Sequence, residues 1–94
     1  LNQLILTATL TQKSVLRFTP TGLPAVDVVL EHESNSVDTG VPRQVALTLK
    51  AVAFGATAEV LAKAEIGKSG QFSGFLNNAR GGRGTSFHIQ TTHF

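Results

Sequence analysis

Leu4 to Thr11 reads LILTATLT, with Leu4, Leu6, Ala8 and Leu10 on one parity and Ile5, Thr7, Thr9 and Thr11 on the other. A period of two marks a half-buried strand. Ile5 leaves the start of the outer face partly apolar, which suits contact with another chain. Extended character resumes over Val15 to Thr19 after a break at Lys13-Ser14, as in one long strand that bends or bulges. Pro20-Thr21-Gly22-Leu23-Pro24 is a turn, because proline fixes φ and glycine supplies a positive one. The partner strand, Ala25 to Ser34, puts Val26, Val28, Leu30 and His32 on one side and Asp27, Val29, Glu31 and Glu33 on the other. His32 shares the core parity, so a partly buried, hydrogen-bonded histidine is expected there.

Asn35 to Pro42 is polar, with Gly40 and Pro42, and predicts a loop. Arg43 to Phe54 alternates again: Val45, Leu47, Leu49, Ala51 and Ala53 point one way, and Gln44, Ala46, Thr48, Lys50 and Val52 the other. Thr57 to Ala64 is built of helix formers with Glu59 and Lys63 at i, i+4, Val60 and Leu61 are candidates to cap a barrel end, and Gly67 stops the helix. Gln71 to Asn77 is a strand in which Gly70 and Gly74 permit sharp curvature, and Ser86 to Phe94 is the last. The order predicts an all-β fold: a five-stranded Greek-key barrel of the OB-fold pattern, with a short helix between strands three and four, filling 1–94 as a single domain.

Composition narrows the chemistry. Among the 94 residues there is no Cys, which excludes disulfides and thiolate metal sites, and His32, His88 and His93 lack the spacing of a zinc motif. No cofactor is expected. No apolar run has the length a bilayer demands, and no signal peptide is recognisable, so a cytoplasmic protein is expected without membrane contact. Ala62 to Ser69, AKAEIGKS, fits a relaxed phosphate-loop pattern, but Ala stands at the first glycine position and the helix precedes the motif instead of leaving it. It reads as a corner. No acid pair and no serine with His and acid in relation suggests catalysis; no enzyme is expected.

The formal charge is only +2, and its distribution says more. Lys13, Arg17, Arg43, Lys50, Arg80 and Arg83 lie in strands or loops and are expected to have no nearby acid in register, and Arg80-Gly81-Gly82-Arg83-Gly84 is a loop whose guanidinium groups can follow a phosphate chain. Of the six Phe residues, Phe54, Phe72 and Phe87 are expected in the core, while Phe18 and Phe75 are candidates for base stacking, with burial the default for both. Lys13, Arg17, Phe18, Arg43, Lys50, Arg80 and Arg83 are therefore the candidate nucleic-acid-binding residues. Binding through about four phosphates predicts a slope of log K on log salt near −3.

Asn2 to Leu6 (NQLIL), Thr19 to Ser34 (TPTGLPAVDVVLEHES) and the Phe54-Gly55, Ala58-Glu59, Gly67 spacing resemble the bacterial primosomal replication protein N family, PriB. The resemblance spans nearly the whole chain. It implies a homodimeric OB-fold that binds single-stranded DNA and links a restart helicase to other primosome proteins. By position, Arg17 and Arg43 match basic residues of the family's DNA face, and Arg80 and Arg83 its basic loop. Val41 and Ala46 stand where members can offer aromatics, and Glu33 where a basic residue can occur, which implies a larger share for protein contacts. The alternatives are a conventional single-stranded DNA-binding protein and a protein-interaction adaptor with weak DNA affinity.

Overall fold

A computed structural model describes residues 1–79 and 81–94. Its elements are β1 (Leu4–Lys13), β2 (Arg17–Phe18), β3 (Pro24–Asp38), β4 (Val41–Phe54), α1 (Gly55–Lys63), β5 (Ser69–Asn78) and β6 (Thr85–His93). β2 is a two-residue edge on β3. The other five strands close into a ring: β1 pairs with β3 and β5, β5 with β6, β6 in parallel with β4, and β4 with β3. This is the expected five-stranded barrel with one short helix.

Closure depends on β1 pairing on both edges. Leu4 to Thr9 run against β5, and Thr9 to Lys13 against β3, with a register shift between Leu10 and Gln12. Inward residues fill the barrel: Leu10, Val26, Leu30, Phe72, Phe87 and Ile89 are essentially inaccessible. Each large side chain so buried contributes roughly 2 kcal/mol. The helix closes one end with Ala58 and Leu61. Val60, expected to share that task, is instead exposed.

The corner after α1 is stitched to β1. Gly67 N–H donates to Leu10 O at 2.7 Å, and Leu10 N–H to Lys68 O at 2.9 Å. Gly67-Lys68-Ser69 thus follows a helix and enters a strand, the reverse of a phosphate loop.

Two local expectations change. Asn35 to Pro42 is not a loop: β3 and β4 stay paired out to Asp38 and Val41, and only Thr39 and Gly40 turn, with φ of 49° and 77°. Positive φ at both central residues fits the right-handed twist of a hairpin. The paired ends project beyond the barrel as a two-stranded arm, in a molecule measuring 50 × 29 × 20 Å. Pro42 is tolerated because, among the described residues, β4 has no second neighbour there. Val45 and Leu47, on the core parity of β4, lie on this arm and stay exposed.

The second change concerns Phe54. It has the parity of Lys50 and Val52, and its ring lies outside the core, 5.2 Å from the His88 ring. Phe72 and Phe87 fill the core as expected.

Glycine fixes the β5–β6 contact. A Cβ on Gly74 would fall 1.8 Å from His88 O, a main-chain atom that cannot move aside. Gly74→Ala should therefore cost about 3 kcal/mol or more, read as a lowered urea midpoint.

Candidate nucleic-acid interface

The alternation that fills the barrel also sets out its other surface. On β4, Thr48, Lys50, Val52 and Phe54 share the outward parity, and Val52 lies in register with Asp27 of β3 and His88 of β6. Phe75 of β5 faces His88 across the next pair, and the two rings stack with centroids 4.4 Å apart and planes 20° apart. Phe54, His88 and Phe75 thus form a continuous ring cluster across three strands.

An open groove of about 1420 Å³ runs along this face, bounded by β2, by β4 and by the loop between β5 and β6. It brings together Lys13, Arg17, Phe18, Lys50 and Arg83 of the candidate residues. Phe18 is 66% exposed, contrary to the default of burial, and Lys50 and Arg83 are exposed as well. Phe75 is half-buried against His88. Arg43 is left out of the groove: it sits on the arm with Nε 3.3 Å from Asp38 Oδ2. Arg80 lies outside the described residues.

Two of the gathered cations already have partners. Arg17 Nη1 is 2.7 Å from Asp27 Oδ2. The Lys13 ammonium donates to Ala62 O at 2.7 Å and Ala64 O at 2.5 Å. These carbonyls belong to the end of α1, where the helix leaves acceptors without intrahelical donors and where a positive charge is favoured. Lys13 thereby ties the end of β1 to the capping helix.

Sequence reasoning passed over Phe54 and His88 as members of this face, and Asp27 as its acid. The signal was available for all three. Phe54 has the parity of Lys50, His88 stands between the core residues Phe87 and Ile89, and Asp27 between Val26 and Val28. His32 is placed as expected, half-buried, with its ring nitrogens 2.6 Å from Thr7 O and 2.9 Å from Ser34 Oγ.

A profile described as another single-strand binding protein family matches residues 2–91. Fold and profile together define an OB-fold of the single-strand-binding class. Replication restart protein PriB of Bordetella pertussis is 45% identical over 80 residues, covering 85% of this chain and 75% of that protein. The solved structure of PriB from Ralstonia solanacearum superposes with a TM-score of 0.90 at 31% identity, covering 99% of this chain and 97% of that one. The chain belongs to the PriB family of replication restart proteins. An SSB domain from Synechococcus sp., at 23% identity, shares the fold with a TM-score of 0.72, covering 100% of this chain and 96% of that one. The PriB and single-strand binding families are non-catalytic DNA-binding proteins, in line with the expected lack of enzyme chemistry. Among the described residues no helix is long and apolar enough to cross a membrane.

Lys13→Met keeps the aliphatic stem and removes the charge. It should lower stability by about 1–2 kcal/mol in urea titration; an unchanged midpoint would mean that the ammonium does not hold the helix end.

Proposed function

We propose that the protein is a single-stranded DNA-binding accessory factor of replication restart, which holds phosphates along the outward groove and bridges a restart helicase and later primosome components. The observation that carries this reading is the convergence of Arg17, Lys50 and Arg83 from three separate elements on one groove. Cations spaced along a groove neutralise a polyanion regardless of its sequence. Phe18 on the rim and Phe54 beside it add ring surface on which any base can stack. Family membership supports the same role, since relatives carry the name replication restart protein.

A homodimer belongs to the proposal. Among the described residues, Leu4 to Ala8 of β1 pair with a strand on the β5 edge only; on the other edge the His32 ring meets Thr7 O, and Ile5 is 57% exposed. A second copy meeting that edge would satisfy its remaining open main-chain groups.

With Arg17, Lys50 and Arg83 each meeting a phosphate, log K for a labelled dT oligomer should fall with log salt at a slope of about −2. Lys50→Ala should flatten that slope by about 0.7. A salt-independent affinity would overturn the phosphate reading in favour of an adaptor that uses this face for a protein. For the dimer, light scattering should give twice the mass of one chain, and a monomer at micromolar concentration would contradict pairing along β1.

A further inference from the structure

Among the described residues lining the groove, Asp27 is the only acid. Its place is fixed by the backbone around it. Ser14 N–H donates to Asp27 O at 2.8 Å, and Asp27 N–H to Ser14 Oγ at 3.0 Å. These bonds hold β3 beside the segment that leads into β2, so the Asp27 carboxylate meets the Arg17 guanidinium directly. The two side chains are 58% and 37% exposed, so the pair is screened and adds little to folding stability. A carboxylate that does little for the fold, standing in a groove whose other charged lining residues among those described are cations, works against any polyanion laid there. The arm repeats the arrangement, with Asp38 beside Arg43.

We propose that Asp27 is an attenuator of polyanion binding, a built-in competitor that occupies Arg17 and must be displaced by a nucleic-acid phosphate. The inference rests on the reading of the groove as the face that takes a single strand. A phosphate entering beside Arg17 replaces one oxyanion with another at the same guanidinium and leaves Asp27 as an unpaired like charge nearby. The net return from Arg17 is therefore small. Lys50, for which no carboxylate partner occurs among the described residues, keeps its full value. Affinity is held below what the cations of the groove would otherwise deliver, and the strand leaves the more readily.

The test is a double-mutant cycle on dT-oligomer binding, read by fluorescence anisotropy at low and high salt, with wild type, Asp27→Asn, Arg17→Ala and the double variant. One unit charge at about 5 Å in water is worth a factor of roughly four. Asp27→Asn should thus bind about three- to fivefold more tightly at low salt, with the gain fading as salt screens it. Arg17→Ala should cost more affinity in the Asp27→Asn background than in wild type. Asp27→Asn keeps the main-chain bonds to Ser14, and Asp27→Ser serves as a second variant if the first melts early. If wild type binds and neither variant binds more tightly, or if the gain is equally large without Arg17, the competition is overturned while the function stands. If neither wild type nor the variants bind the oligomer, the reading of the groove fails and the inference with it.

Discussion

Strand β1 has to serve two neighbours with one backbone. Its first half donates and accepts toward β5 and its second half toward β3; the two pairings overlap at Thr9, in register with both Ser69 and Glu31, and just beyond it one residue is left over between Leu10 and Gln12. The extra residue is Thr11, whose Oγ1 donates to Val29 O at 3.2 Å, so the side chain compensates locally for the interrupted ladder. Without this change of partner the sheet would stay open, and Phe72 and Phe87 would have no enclosed space to fill. The same strand receives the corner after α1 through Leu10 and sends Lys13 to the helix end. Barrel closure and helix docking are thus one structural event.

A closed small barrel leaves its chemistry on the outward parity. Lys50 and Phe54 stand on the groove side of β4 because Ala51 and Ala53 are needed inside, and His88 is turned out because Phe87 and Ile89 are turned in. The ring cluster of Phe54, His88 and Phe75 follows from register alone. In the proposed interface, affinity is then set less by the number of cations than by how many of them are already spoken for. Arg17 and Arg43 each face an aspartate, and Lys13 is engaged by carbonyls.

The barrel was legible because its strands alternate and its helix is bracketed by glycines. The arm was not: Asn35 to Pro42 carries no apolar alternation, and its pairing is imposed by the two-residue turn and by the register running out from the barrel. Phe54 shows a conflict between two sequence signals, ring size arguing for the core and parity for the surface; parity won, because a strand cannot turn one residue over without turning all of them. The groove was legible as a set of basic residues, but their pairing was not. Lys13 meets carbonyls 49 and 51 residues away, and the acid that meets Arg17 belongs to the neighbouring strand. Such contacts follow from the closed three-dimensional arrangement and leave no periodic trace.

The turn at Thr39-Gly40 also bears on how the chain finds this arrangement. It joins the longest pairing in the molecule, which runs without interruption from Asp38 and Val41 back to Ala25 and Phe54. Closing two residues costs the least chain entropy of any contact in the barrel, whereas β4 and β6 must be brought side by side across the whole of α1 and β5. The order of entropic cost therefore favours an early β3–β4 ribbon as a template, with the parallel pair late. The arm that projects from the finished barrel is the outer end of that ribbon, and its exposed Val45 and Leu47 continue the apolar row on which the barrel is laid down.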